Sequence, residues 1–284
     1  MKNANMENNS EDEFKDFIKE QLFEIVNNNM VLYKYIGFET GKLAIQHSTV
    51  GFTNPLSFND PFDCTLNLVD FENVPDWYRK SLIDTYYPKL TPLAKENMLT
   101  KMSSTPDAVA IKLLQTKGMD NEIKNRGVSC FSKNFDNMLM WSHYADSHKG
   151  VCIGFNLLPL YLSIEGYTTE KMVIPVDYKN EFTPMNYYQH KIESIVRWLK
   201  TKSKVWSYEE EVRVIMNHLD FRGTDKFIAE IDPSSFASVY LGTRMPAENQ
   251  AEISQLVREN YPHVTVYKIV PAIDSFELKA IPHV

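Results

Sequence analysis

Strand-forming segments stand at both ends of this chain while helix-forming residues crowd its middle, so the first and last strands must meet in one mixed sheet. VLYKYIGF (Val31 to Phe38) opens the pattern, rich in β-branched and aromatic residues, and a brief strand follows at Val50 to Thr53 before Asn54-Pro55 halts it. GVSCFS (Gly127 to Ser132), GVCIGF (Gly150 to Phe155) and MVIPVDY read as further strands. VRVIM, KFIAEI, SVYLG, VTVYKI and FELKAI then crowd the C-terminal part. Helical spacing of apolar residues marks Asp12 to Val26, Asn186 to Lys202 (Ile192, Ile195, Val196 and Leu199 inward) and Ala247 to Asn260. It also marks NMLMWSHYADSHK, with Met138, Trp141, Tyr144 and Ala145 on one face. Composition turns helical again from about 76 to 118, where Thr105-Pro106-Asp107 is a helix start. The expectation is an α+β fold: a mixed, mainly antiparallel sheet with a helical insertion in the first half. Residues 1–12 form a disordered lead-in and 13–284 a single domain with its insertion at about 76–118.

At 284 residues, 43% hydrophobic and 24% charged, the chain can bury a core without disulfides or a structural metal. Cys64, Cys130 and Cys152 are too few and too widely spaced for a disulfide framework, and read as reduced thiols of a cytoplasmic protein. The start, MKNANMENNSEDEF, lacks a secretory signal's basic and apolar regions, and no apolar run approaches the ~20 residues that span a bilayer. A membrane partner is therefore not expected. The formal charge of −7 argues against broad coating of nucleic acid, while leaving room for an enzyme that works through one local basic groove.

WSYEEEVRVI, Trp206 to Ile215, is the most unusual stretch: three glutamates run into a segment too apolar for an edge strand. With a strand starting near Glu209, Val212, Val214 and Met216 point into the core at the level of Glu210. Glu209, Glu211, Arg213 and Ile215 then line the opposite face. This is either a solvated Glu211–Arg213 ion pair or a row of acids set beside a ligand, and the flanking Trp206 and Tyr208 suit an enclosed site. SFNDPFDC is an ordered loop in which Asp60 and Asp63 cap a turn anchored by Phe58 and Phe62, or which offers Asn59 or Asp60 to a ligand. In WSHYADSHKG, His143 stands on a different helical face from Trp141 and Tyr144 and can line a pocket. A zinc site from His143, His148, Cys130 and Cys152 lacks the close cysteine pair such sites use. No metal ligand is assigned. Gly-rich phosphate loops, G-x-S-x-G and H-E-x-x-H are absent from the sequence.

Taken in order, LYKY, NPLSFNDPFD, VSCFSK with MLMWSHYADSHKGVCIGF, and WSYEEEVRVI resemble the uncharacterised bacterial family named domain of unknown function 2971, from about Leu32 to Ile215. A more distant resemblance is to ADP-ribosyltransferases, α+β enzymes that grip NAD between two small sheets and often carry E-x-E at the start of a late strand. That resemblance implies NAD as co-substrate and Glu211 as the catalytic glutamate, with Glu209 orienting the acceptor. Tyr33 or Tyr35 would supply the early-strand element, and Lys34 or Arg213 would face the pyrophosphate. Trp141 or Tyr144 would stack on nicotinamide. Ser48-Thr49 has the right residues for the middle element but comes early, whereas Ser129 or Ser132 is better placed without the full motif. The acceptor would be a protein or nucleic acid, and a role in bacterial defence or toxicity would be consistent with such enzymes.

Two other readings use the same residues. Asp60, Asp63, Glu209 and Glu211 could gather around Mg²⁺ as in metal-dependent nucleases, although Arg213 stands where the commonest nuclease signature has lysine. Alternatively, the cleft could bind a nucleotide or a partner without catalysis, as a sensor or interaction domain.

Overall fold

The computed structural model describes residues 30–104, 123–168 and 170–283. In chain order its main elements are β1 (Val31–Ile36), α1 (Phe38–His47), β2 (Thr49–Thr53), β3 (Val69–Asp70), α2 (Asp76–Tyr86), α3 (Pro92–Ser103) and β4 (Gly127–Ser132). Next come α4 (Met138–Tyr144), β5 (Val151–Asn156), α5 (Leu157–Ser163), β6 (Lys171–Pro175), β7 (Asp177–Lys179), β8 (Met185–Asn186), α6 (Lys191–Lys200) and β9 (Thr201–Ser203). β10 (Glu211–Met216), β11 (Lys226–Glu230), β12 (Phe236–Leu241), α7 (Ala247–Asn260), β13 (Thr265–Pro271) and β14 (Leu278–Pro282) complete the order. The architecture is α+β. The helices α2 and α3 stand within the expected insertion, while its later part, with the Thr105-Pro106-Asp107 start, and the helix expected at Asp12 to Val26 lie outside the described residues.

Among the described residues ten strands form the main sheet, mixed and mostly antiparallel, with β12 and β13 as a parallel pair. Its decisive feature is a fork at β4. One edge of β4 pairs with β10 along its whole length, from Glu211↔Ser132 to Met216↔Gly127. The other partners touch β4 at single positions, β1 through Tyr33↔Ser132 and β2 through Thr53↔Val128. β1 instead pairs fully with β5, which continues into β12, β13 and β14. The sheet is thus two ladders joined at one end, and Lys34 fills the gap between them: its Nζ donates to Ser129 Oγ and the Cys130 carbonyl, both at 3.0 Å. Burial pulls the Lys34 pKa below the usual lysine range.

Side-chain alternation sends neighbouring strand residues to opposite faces. On β10, Val212, Val214 and Met216 join a large cluster with α1, α5 and α7, through Ile45, Leu160 and Ile253. Ile215 joins a second cluster on the opposite face with Trp198 and Leu199 of α6. A third lies under the other ladder, where Tyr35, Trp141, Cys152 and Tyr240 pack together. β5 sends Val151, Ile153 and Phe155 to the first cluster and Cys152 to the third, so the second and third share one face of the sheet, on either side of the fork. Trp141 is sealed there by Tyr35, ring to ring at 5.3 Å, and its indole N–H donates to the Phe135 carbonyl. Met138 departs from expectation: it sits in the first turn of α4 and is 49% exposed.

The turn between α4 and β5 leaves no room for a side chain at Gly150, where a Cβ would stand 2.3 Å from the Ile36 carbonyl oxygen. Gly150→Ala is expected to cost about 1–3 kcal/mol or more, because backbone must move to accept the methyl. Chemical denaturation of the variant measures this, and a wild-type midpoint would mean the turn yields freely.

Candidate functional site

The fork gathers charge between the two clusters on its face. α6 carries an apolar stripe of Ile195, Trp198 and Leu199 into the core, and the chain leaves it directly into β9. β9 pairs with β7 in parallel, Tyr178 opposite Lys202, which brings the Lys202 side chain beneath the start of β10. A 3₁₀ turn then runs from Lys204 to Glu209 and ends in a left-handed residue, Glu210 at φ 43°. β10 therefore starts at Glu211, two residues later than the sequence pattern suggests. Glu210 turns outward, away from the core level expected for it, and accepts from Asn134 Nδ2 at 2.8 Å. A left-handed non-glycine residue costs about 1–2 kcal/mol, and here it turns Glu209 and Glu211 onto one lysine.

Lys202 Nζ lies 2.5 Å from Glu209 Oε2, 3.0 Å from Glu211 Oε2 and 3.5 Å from Asp63 Oδ2. Arg213, fully buried, donates through Nε to Glu211 Oε1 at 2.8 Å and through Nη2 to Asp63 Oδ2 at 2.6 Å. Its Nη1 donates to the Leu199 carbonyl at 2.7 Å, and Phe58 covers the guanidinium at 5.4 Å. Tyr144 from α4 donates to Glu209 Oε1 at 2.6 Å. Above it, His143 Nδ1 meets Tyr208 Oη at 2.9 Å, and Trp206 lies 5.4 Å from the Lys202 ammonium. Exposed His143 and half-buried Tyr208 and Trp206 form a rim over the buried Glu209, Glu211, Arg213 and Asp63.

Environment separates the two glutamates. Burial pushes the Glu209 carboxyl above its ordinary range, against the pull of Lys202 and Tyr144. Burial acts on Glu211 too, but Arg213 and Lys202 overcome it and hold that carboxyl well below the usual carboxylate range. Lys202 is itself held above the ordinary lysine value, because Glu211, Glu209 and Asp63 outweigh its desolvation. Tyr178, whose oxygen accepts from the Glu211 backbone N–H at 2.8 Å, is pushed by burial up to about 12.

The Glu211 shift sets a pH dependence. A carboxylate with a depressed native pKa contributes stability that is present above its unfolded pKa of ~4.3 and is lost as pH falls toward the native value. Glu209, shifted the other way, adds stability as pH falls from its raised native pKa to the unfolded value of ~4.3, a window above the one in which Glu211 loses it. Acid titration of stability should therefore fall more steeply below about pH 4 in the wild type than in Glu211→Leu/Arg213→Met; identical slopes would contradict the assignment.

The structure brings some expected residues together and parts others. Glu209, Glu211, Arg213 and Tyr144 share the cluster, with His143 at its rim. The SFNDPFDC loop reaches it through Asp63, whose Oδ1 is buried without a hydrogen bond among the described residues. Asp60 instead caps its own turn, accepting from the Phe62 N–H at 2.9 Å, and Asn59 is exposed. Tyr35 has a positioning role in the third cluster, donating to the Asn134 carbonyl at 2.7 Å, and Tyr33 packs on Phe135 and Tyr240. Ser48 caps α1 and bonds Tyr261 at 2.8 Å, within the first cluster's side of the sheet and opposite Glu211. Lys202 is the residue that sequence reasoning missed.

Residues 140–214 match the model of a family described as "Protein of unknown function (DUF2971)". The match runs from α4 to β10 and so takes in Tyr144, Lys202, Glu209, Glu211 and Arg213, while the LYKY and NPLSFNDPFD segments lie outside it. No match is found among curated proteins or among solved structures. Among the described residues, no helix is long and apolar enough to cross a membrane.

Proposed function

We propose that the fork binds a nucleotide and that the chain is an ADP-ribosyltransferase-like enzyme using NAD, with Glu209 as the working carboxylate. One observation carries this reading: both glutamates of the E-x-E meet on buried Lys202 at the junction of two ladders, and Glu209 is the one bonded to Tyr144, whose ring packs beside His143 of the rim. Glu211 is held by two cations, Arg213 and Lys202, which suits an anchor, whereas Glu209 meets one cation and the Tyr144 hydroxyl. Catalysis therefore moves one turn outward from the glutamate that the family resemblance favours.

The chemistry follows from charge. As the bond between nicotinamide nitrogen and ribose C1′ breaks, its electron pair leaves with nicotinamide and positive charge builds on the sugar. A desolvated carboxylate stabilises that state more than the ground state. The acceptor's lone pair then forms the new bond to C1′, and its proton passes to Glu209, whose burial raises its proton affinity above that of an ordinary carboxylate. His143, Tyr208 and Trp206 would contact the aromatic parts of the ligand.

The full internal pairing of Glu211 and Arg213 also favours a second reading, in which the fork binds a nucleotide without turning it over. A metal-dependent nuclease is favoured less, since the Lys202 ammonium already occupies the centre of the three carboxylates that a divalent ion would need. NAD binding tests both favoured readings. Titrating NAD should quench the fluorescence of Trp206 saturably, with the signal lost in Trp206→Phe and the affinity weakened in Tyr208→Ala. Absence of saturable NAD binding would remove the NAD reading.

A further inference from the structure

A second site lies apart from the fork, and we propose that it binds a small organic anion carried on an apolar body. The segment Thr243–Arg244, the β13–β14 hairpin, Met138 and His148 border a half-open cavity of about 630 Å³, within the size range of small-molecule sites. None of the lining residues belongs to the Lys202 cluster.

The floor is polar and incompletely satisfied. His148 Nε2 lies 3.1 Å from Ser142 Oγ, while its Nδ1 is buried with no hydrogen bond among the described residues. Burial and the neighbouring Arg244 charge pull the imidazole below its usual pKa range, so the ring is neutral at physiological pH. Nδ1 is closed off from solvent, so the charge contact with an anion in the cavity falls to Arg244. Arg244 is exposed and, among the described residues, has no ion pair, which leaves its guanidinium free for the same anionic group.

The backbone around His148 is costly. Asp146, Ser147 and His148 are consecutively left-handed, at φ 47°, 52° and 71°, although none is glycine. Isolated left-handed residues are tolerated, but three in succession persist only when their surroundings fix them. Asp146 accepts from the Phe38 N–H at the start of α1, and the His148 carbonyl accepts from the Arg244 N–H, which ties the turn to both neighbours. The product is a histidine held against Trp141, rings 6.5 Å apart and nearly parallel, at the base of the cavity.

The walls define the rest of the ligand. Ile273 is 104% and Phe276 100% exposed on the hairpin tip, and Met138, 49% exposed, lines the same cavity. Such side chains gain by covering an aromatic or aliphatic body. Asp274 and Glu277 stand on the same rim, so a singly charged group is accepted more readily than a polyphosphate.

Saturation-transfer NMR on the intact chain, with 3-phenylpropionate, phenyl phosphate and neutral 3-phenylpropanol as probes, tests the site. At least one anion should bind, and more tightly than the alcohol. Arg244→Gln should weaken that binding about ten-fold or more, as loss of a charge-assisted contact does, and Phe276→Ser should weaken it as well. Binding of the carboxylate alone or of the phosphate alone would each support the proposal and identify the head group. Absence of binding by both anions, or unchanged affinity in Arg244→Gln, would overturn it. Arg244 is exposed, so its variant keeps the fold, and matching denaturation midpoints verify that.

Discussion

Arg213→Met is expected to destabilise the protein by about 3–5 kcal/mol, the range for breaking a buried ion pair from one side. Arg213 is fully buried and neutralises both Glu211 and Asp63 while satisfying the Leu199 carbonyl. Removing it leaves three carboxylates around the single charge of Lys202. Arg213→Lys should rescue little, because an ammonium cannot reproduce the planar fork that reaches Glu211, Asp63 and Leu199 together. The double variant Glu211→Leu/Arg213→Met should recover part of the loss, since an apolar pair of similar volume carries no desolvation penalty. Urea denaturation of the three variants measures this. A loss below about 1 kcal/mol in Arg213→Met would mean the cluster is wetter than its geometry indicates.

Glu209→Gln should lower NAD turnover by about 10²–10⁴-fold, the usual contribution of a positioned acid or base, with little change in stability. The amide oxygen can accept from Lys202 while its NH2 donates to the Tyr144 hydroxyl oxygen, and Lys202 keeps Glu211 and Asp63 as partners. Glu211→Gln should behave differently, losing stability and activity together, because it strips charge from the sealed side of the cluster. The contrast separates a reacting carboxylate from an anchoring one. Equal stability losses in the two variants, with equal turnover, would assign both glutamates to architecture.

Local patterns in the sequence carried the sheet and part of the site. The alternation of Val212, Val214 and Met216 against Ile215 is a two-residue period and stands in the structure as read, as does the helix from Ala247 to Asn260. The E-x-E was visible for the same reason. What stayed hidden depends on long-range pairing. Lys202 sits among Lys200 and Lys204 and reads as part of a solvated basic run; only the β7–β9 pairing buries it. Asp60 and Asp63 are equivalent as turn residues, and nothing local reveals that Arg213, 150 positions away, selects Asp63. Glu210 shows the limit of period-two reasoning: one left-handed residue ended the alternation, yet it placed Glu209 and Glu211 together by another route. Ser48 was chosen for its residue type, and its bond to Tyr261 sets it on the far side of the sheet.

The central claim is tested most directly by nicotinamide release from NAD, measured for the intact chain and for Glu209→Gln in the presence of a metal chelator. The account predicts release by the wild type that persists with chelator and falls about 10²–10⁴-fold in the variant. Release that is equal in the two proteins, or a wild type that neither binds NAD nor releases nicotinamide from it, would contradict the account.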